Sequence, residues 1–194
     1  MRTAIFDLET FSLYANTGIL LCAVIKETGK HAPKIIRADQ FPEWKTDRSN
    51  VEPMIRAVVN VLLNDKGDDG SEGFDIFVAH NGQYFDKAML NTWALKFRLP
   101  MALRFARFID PVLLLRRHCR LNRNSLNEAI DFFKIPHKKT PIAWDNWMKA
   151  SLNGDSRALD YIVEHCVADV KALEALHVIT KRLVKGIDEK GSSH

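Results

Sequence analysis

The chain has 194 residues, of which 46% are hydrophobic, so it can form a single domain around one core. No apolar run reaches the roughly 18 residues of a membrane span, and the three cysteines form no disulfide or zinc pattern, so we expect a cytoplasmic protein without membrane contact. The formal net charge of +4 suits an anionic partner such as nucleic acid, or serves only solubility.

The predicted elements run in the order of three strands, then helix, strand, helix, strand and several helices. Hydrophobic patterns and turn residues place strands at residues 3–8, 18–27, 33–39, 74–80 and 106–110. Helices are expected at residues 49–63, 84–97, 111–118, 125–135 and about 155–185. An antiparallel start followed by alternating strands and helices predicts an α/β fold with a mixed sheet and helices on both faces.

We find no internal repeat and no linker long enough to divide the chain. The expected organisation is therefore one domain over residues 1–187. Residues 188–194 are expected to form a tail, and its Gly-Ser-Ser-His end is typical of an artificial addition.

Two acids stand in the first strand, where apolar residues belong. Side chains alternate along a strand, so Asp7 and Glu9 share one face, about 7 Å apart. A buried strand should not carry two carboxylates on one face, because burying an unpaired charge is costly. Either the two acids have a function, or the strand ends near Phe6 and both acids are solvated.

A third acid lies on the apolar face of its own helix. Asp86 precedes Leu90, Trp93 and Phe97 by four, seven and eleven residues, which is helical spacing. The alternative is an acid in the first turn that only complements the helix dipole.

A fourth acid lies in the long C-terminal helix, in the stretch "EHCVADV". Asp169 stands at the edge of the apolar stripe of this helix, and His165 shares its face one turn earlier. The alternative is a histidine–aspartate pair on a partly exposed face.

Four converging carboxylates would repel one another unless cations lay among them, and oxygen ligands favour magnesium or manganese. Two such ions about 4 Å apart stabilise the attacking and leaving oxygens of a phosphoryl displacement.

Three segments, "FDLET", "HNGQYFD" and "HCVADV", resemble in order the three exonuclease motifs of the DEDD superfamily. These proteins are 3′–5′ exonucleases with a ribonuclease-H-like fold, and they include polymerase proofreading domains and free-standing enzymes. The resemblance runs from about residue 3 to residue 177. It implies that two Mg²⁺ or Mn²⁺ ions bind to the four acids, Asp7, Glu9, Asp86 and Asp169.

The resemblance also implies residues that hold the substrate. Asn81 should steady the site, and Thr10 with the following loop should hold the 3′-terminal nucleotide through backbone contacts. Leu13 matches a leucine that wedges against the terminal base, or it is a loop leucine that covers the core. Asp110 matches a frequent aspartate of the family, but its simplest role is to cap the helix that follows it.

The third motif departs from both branches of the family. It has the spacing of the tyrosine branch, with three residues before Asp169, but His165 takes the tyrosine position. We expect His165 to be catalytic and to act on the water that attacks the phosphate, because imidazole accepts a proton near neutral pH more readily than a phenol does. Motif spacing similar to proofreading domains, in a chain too short for a polymerase, favours a free-standing nuclease or a subunit.

The expected substrate is single-stranded or frayed DNA with an accessible 3′ end. RNA trimming at the same site is the second reading, and an inactive module that only binds nucleic acid is the third. A replication or repair protein, such as a polymerase, is an expected but unidentified partner.

Trp144 and Trp147 lie near the expected mouth of the site or anchor the core. Two basic clusters contact the substrate or are simply solvated, namely Arg116, Arg117, Arg120 and Arg123, and Lys138 with Lys139.

Overall fold

A computed structural model describes residues 1–100, 107–136 and 143–184. Its five strands form one sheet in the order β3–β2–β1–β4–β5. The pairs β1–β2 and β2–β3 are antiparallel, whereas β1–β4 and β4–β5 are parallel, so the predicted mixed sheet is confirmed. The strands are β1 Thr3–Thr10, β2 Leu20–Glu27, β3 Lys34–Arg37, β4 Ile76–Val78 and β5 Arg107–Ile109.

Seven α-helices lie in the residues that the structure describes, and none of them is long and apolar enough to cross a bilayer. They are α1 Glu43–Thr46, α2 Glu52–Asn64, α3 Asp86–Lys96, α4 Pro111–His118, α5 Leu126–Phe132, α6 Trp144–Asn153 and α7 Ser156–Thr180. Short 3₁₀ turns follow at Ala38–Gln40 and Lys181–Leu183. The tail over residues 188–194 and the pair Lys138 and Lys139 fall outside the described residues.

Two helices were not predicted from the sequence, namely α1 and α6. Helix α6 has an ordinary signal for its end, because Gly154 adopts the left-handed conformation with φ 67° and its N–H returns to the Ala150 carbonyl. Its buried face is short, with Trp147, Ala150 and Ser151, so apolar periodicity alone does not distinguish it from a loop.

The core forms because both faces of the sheet are covered. Every residue of β2 from Leu20 to Lys26 is buried, which requires packing on both sides of the strand. Helix α7 contacts both β1 and β2, and α6 packs along α7. On β1, Phe6 packs edge-on against Phe77 of β4 with 6.2 Å between ring centroids.

Strand β1 is much longer than its parallel neighbour β4, and this difference creates the place for the site. The two strands pair only from Thr3–Ile76 to Ile5–Val78. Beyond Ile5, β1 continues to Thr10 while β4 has ended, so the backbone of β1 has a free edge. The first turn of α3 comes to this edge, and the Leu8 N–H donates to Asp86 Oδ1 at 3.0 Å.

Candidate active site

The two acids of β1 lie inside the strand and not beyond its end. Strand β1 runs through Thr10, so the alternative in which it ends near Phe6 is wrong. Both Asp7 and Glu9 are half-buried, and they face the helices α6 and α7. Paired with β2, they stand opposite Val24 and Cys22, respectively. The alternation of side chains in a strand therefore brings both carboxylates to one face, as predicted.

Each of these two acids accepts a hydrogen bond from a neutral donor. The Cys166 thiol lies 3.2 Å from Asp7 Oδ2 and donates to it, and the Trp147 indole donates from Nε1 to Glu9 Oε2 at 3.1 Å. Burial, followed by contact with the Cys22 thiol, raises the pKa of Cys166 well above its usual value, so the thiol keeps its proton. The sequence alone did not indicate these two donors, because one lies 159 and the other 138 residues from its acceptor.

Asp86 is the most deeply buried of the acids, with 1% of its surface exposed. It is the first residue of α3, so its carboxylate also lies at the positive end of the helix dipole. The bond from the Leu8 N–H shows that it contacts β1 directly, and Asp86 is therefore more than a surface acid that complements the dipole.

His165 and Asp169 share one face of α7, as predicted from their spacing. His165 Nε2 lies 3.6 Å from Asp169 Oδ2, and the histidine side chain is 11% exposed whereas the aspartate side chain is 26% exposed. The imidazole packs edge-on against the Trp147 ring, with 5.8 Å between centroids and 82° between planes. His165 Nδ1 is buried and has no hydrogen-bond partner among the described residues.

The acids of β1, α3 and α7 affect one another's pKa values. Burial, followed by the charge of Asp169, raises the pKa of Asp7 to about 7. Burial and the charge of Asp7 raise the pKa values of Glu9 and Asp86 well above their usual range. Glu9 also interacts with Asp86 and Asp169, so strand β1, helix α3 and helix α7 each contribute charge to the same site.

Asp110 holds the backbone next to this site. Its two carboxylate oxygens accept hydrogen bonds from the Asn81 N–H at 3.0 Å and the Gln83 N–H at 3.1 Å. The same carboxylate accepts from the Val112 N–H at 3.0 Å, so the predicted cap of α4 is confirmed. Asn81 has a left-handed φ of 59°, which asparagine tolerates better than most residues. The Asn81 side chain is exposed, so the structure fixes its backbone.

An open cleft lies beside the acids. It has a volume of 180 Å³ and is lined by Leu8, Glu9, Thr10, Leu13, Phe85, Trp144, Trp147 and His165. Leu13 is 72% exposed, so the alternative in which it covers the core is wrong. Trp144 is 64% exposed at the cleft, whereas Trp147 is buried, so the two tryptophans differ in environment. Thr10 is buried, and its hydroxyl donates to the Ser12 carbonyl at 2.6 Å.

Exposed arginines lie in the last turn of α4 and in the segment after it. These side chains make no ion pair within the part of the chain that the structure describes, and they are Arg116, Arg117, Arg120 and Arg123. Their exposure is compatible both with contact to a phosphate backbone and with simple solvation.

The donor set fits divalent metal ions. Asp7, Glu9 and Cys166 each offer an atom that could bind a metal ion, and these three atoms lie within 4.8 Å of one another. Oxygen donors suit magnesium or manganese, whereas a thiol does not, so the carboxylates are the fitting ligands and Cys166 is not. Burial and neighbouring carboxylates are the main causes of the raised pKa values of Asp7, Glu9 and Asp86, and bound cations would relieve this repulsion.

The sequence profile of the RNase_H superfamily matches residues 4–180, and the chain therefore belongs to this superfamily. Among solved structures, the chain is similar to the family B DNA polymerase from the hyperthermophilic archaeon Pyrobaculum calidifontis, with a TM-score of 0.67 and 14% sequence identity. The match covers 92% of this chain and 24% of the polymerase chain, and it shows a common fold. No curated protein sequence matches the chain.

The raised pKa of Asp7 predicts how pH changes the stability of metal-free protein. An unfolded aspartate loses its proton near pH 4, whereas folded Asp7 keeps its proton up to about pH 7. The folded state therefore holds more protons in this window, and the contribution of Asp7 to the free energy of unfolding should fall as pH rises from about 4 to about 7. Asp7→Asn should reduce this fall.

Thermal unfolding in EDTA at about pH 5 and about pH 8 measures the effect. If Asp7→Asn removes about 1.4 kcal/mol of repulsion, which corresponds to a pKa shift of one unit, the Tm at about pH 8 should rise by ~3 °C. Glu164→Gln is the matched control, because Glu164 is an exposed carboxylate on α7. A Tm of Asp7→Asn at or below that of the wild type at the higher pH would contradict the predicted repulsion.

Proposed function

We propose that the protein is a metal-dependent 3′–5′ exonuclease of the DEDD superfamily, which hydrolyses phosphodiester bonds of single-stranded or frayed DNA and releases nucleoside 5′-monophosphates. One observation carries the proposal. Strand β1 meets α3 and α7 at its two acids: the Leu8 N–H between them donates to Asp86, and Cys166, three residues before Asp169, donates to Asp7. Membership of the RNase_H superfamily supports a nuclease, and the order and spacing of the three motifs support the finer assignment.

Asp7, Glu9, Asp86 and Asp169 would hold two Mg²⁺ or Mn²⁺ ions, which supply charge stabilisation to the attacking and leaving oxygens of the phosphate when bound. The chain contributes the negative charge and its position. The donors to Asp7, Glu9 and Asp86 are neutral, so a bound cation can displace the protons of these carboxylates without competing with a cationic side chain at those hydrogen bonds.

His165 is the proposed proton acceptor for the attacking water. It lines the cleft, lies one turn from Asp169, and packs against Trp147, which limits rotation of the imidazole. The Asp169 carboxylate faces the imidazole, with Oδ2 3.6 Å from His165 Nε2. A tyrosine at this position would have to accept the proton at a phenol oxygen, which titrates far above neutral pH.

The substrate end is assigned to the cleft. Leu13 is exposed there and can contact the face of a terminal base, while the backbone around Thr10 borders the same space. Asn81 would act through the backbone turn that Asp110 holds. Exposed Arg116 and Arg117 would contact phosphates further along a single strand.

DNA is proposed over RNA because the motif spacing is similar to that of DNA proofreading domains, and the likeness to a DNA polymerase structure agrees with this. RNA remains the alternative substrate, since the described residues include no assigned contact to a 2′-hydroxyl. A replication or repair protein is the proposed kind of partner.

A direct test compares 5′-labelled single-stranded DNA with RNA of matched sequence, each incubated with Mg²⁺ and then with EDTA. Shortening from the 3′ end, blocked by a 3′ cap and unaffected by a 5′ cap, is expected with Mg²⁺ alone. Faster shortening of RNA would favour the exoribonuclease. Binding of either oligonucleotide without any cleavage would indicate an inactive binding module.

The carboxylates give the first activity prediction. Asp7→Ala and Asp169→Ala should each reduce the cleavage rate by more than about 100-fold. Each removes a proposed metal ligand, and loss of an outer-shell partner of a ligand alone typically costs up to about 100-fold. The rate of shortening with saturating Mg²⁺ measures this, with Glu164→Gln as the control on α7. Substantial Mg²⁺-dependent cleavage by folded Asp7→Ala protein would refute the assignment.

Leu13 gives a prediction that separates substrate binding from folding. Leu13→Ala should raise the KM for single-stranded DNA, whereas the free energy of unfolding should change by about 0.5 kcal/mol or less, because the side chain is largely exposed. Chemical denaturation and steady-state kinetics measure the two quantities. A loss of about 2–5 kcal/mol with an unchanged KM would instead be the behaviour of a core leucine.

His165 gives the third prediction. His165→Ala should slow cleavage by about 10²–10⁴-fold, the usual contribution of a general base, while DNA binding is preserved. His165→Tyr should keep more activity than the alanine variant, because the motif spacing is that of the tyrosine branch. The wild-type rate should rise with pH through an ionisation that the tyrosine variant lacks. Near wild-type cleavage by His165→Ala with an unchanged pH profile would leave only a structural role.

A further inference from the structure

We propose that Trp147 is a positioning residue of the active site, which fixes the carboxylate of Glu9 with its indole N–H and the imidazole of His165 with its ring. Its effect on catalysis rests on the proposed nuclease function, whereas its effect on metal binding can be measured without any substrate.

The geometry places one side chain against two proposed functional groups. Trp147 Nε1 lies 3.1 Å from Glu9 Oε2, and the indole ring stands edge-on to His165 with 5.8 Å between centroids. Trp147 is 3% exposed, so both contacts lie away from bulk water, where a hydrogen bond to a carboxylate is stronger.

The fold holds Trp147 firmly in this position. Helix α6 packs along α7, which carries His165. One turn after Trp147, the Ser151 hydroxyl donates to the Trp147 carbonyl at 2.5 Å, and Arg48 Nε donates to the Ser151 carbonyl at 2.8 Å. Gly154 then ends α6 in a left-handed turn, and Asp155 caps the start of α7. The two helices are therefore joined by a short, hydrogen-bonded corner.

The chemistry of indole suits a metal ligand's partner. Indole Nε1–H is a donor only, so it cannot compete with Glu9 for a cation or take its proton. It occupies one acceptor position of Oε2 and leaves the other positions of the carboxylate for a cation. A lysine or arginine here would neutralise the charge, and an apolar residue would leave the carboxylate free to rotate. Outer-shell partners of this kind orient ligands, and their loss typically costs about 10–100-fold in metal affinity or activity.

A purely structural tryptophan would behave differently, and the chain contains a matched example. Trp93 is fully buried on α3, and its indole N–H donates to the Ala15 carbonyl at 3.0 Å. Replacing either tryptophan by phenylalanine removes a buried ring edge and one hydrogen bond. Only Trp147 donates to a proposed metal ligand. Both Trp147→Phe and Trp93→Phe should therefore lose stability, but only Trp147→Phe should lose metal affinity.

The first measurement is made on the wild-type protein, and variants are used only to assign its signals. The ¹⁵N-labelled protein contains four tryptophans, and their indole N–H signals can be assigned by single substitutions to phenylalanine. Titration with Mg²⁺ should move the Trp147 signal along a saturable curve, because the cation withdraws charge from the carboxylate that accepts this hydrogen bond. The Trp93 signal should move much less.

The second measurement compares Trp147→Phe with Trp93→Phe. Mg²⁺ affinity, taken from the metal-induced rise in Tm and from backbone NMR shifts, should fall by about 10–100-fold in Trp147→Phe and stay close to wild type in Trp93→Phe. The Mg²⁺ concentration that gives half-maximal cleavage should rise by the same factor in Trp147→Phe.

Three outcomes are distinguishable. A saturable shift of the Trp147 signal, together with selective loss of Mg²⁺ affinity in Trp147→Phe, would support the positioning role. Mg²⁺ binding that leaves the Trp147 signal unmoved, or that is equally strong in Trp147→Phe, would overturn this role and leave the proposed exonuclease intact. Absence of any Mg²⁺ binding to the wild-type protein would overturn both proposals together.

Discussion

The candidate active site requires several acidic side chains to lie close together in a partly buried environment. Burial and mutual repulsion raise the pKa values of Asp7, Glu9 and Asp86, so the metal-free site favours their protonated forms. The hydrogen bonds to these three carboxylates come from neutral donors. A thiol, an indole and a backbone amide each serve one carboxylate, and none of them cancels its charge. Because these donors are neutral, the carboxylates can exchange their protons for bound cations.

This constraint explains why three distant parts of the fold meet. Strand β1 extends beyond the end of its parallel neighbour β4. The Leu8 N–H, which lies past the last β1–β4 pair, donates instead to the first residue of α3. Helix α7 crosses β1 and β2 and brings His165 and Asp169 to the same end of the sheet. Asp110 fixes the turn around Asn81 through backbone N–H groups, so the segment leading into α3 is held as well. Leu13, Trp144 and the four arginines remain exposed at the surface.

Much of the fold follows from local patterns in the sequence. The strands and most helices were predicted because apolar spacing and the cap residue Asp110 are local signals. Helix α6 was missed, since its buried face is too short to give a clear period. Its importance is apparent only once it is packed on α7, where it brings Trp147 to Glu9.

The sequence by itself determined which polar side chains share a face, because strand alternation relates Asp7 to Glu9 and helical spacing relates His165 to Asp169. These relations span a few residues and follow from backbone geometry. Only the tertiary structure decided the partners of the acids and the exposure of Leu13. The bonds from Trp147 and Cys166 join residues 138 and 159 positions apart. No propensity or period encodes such a contact, because it exists only when α6 and α7 pack against the sheet.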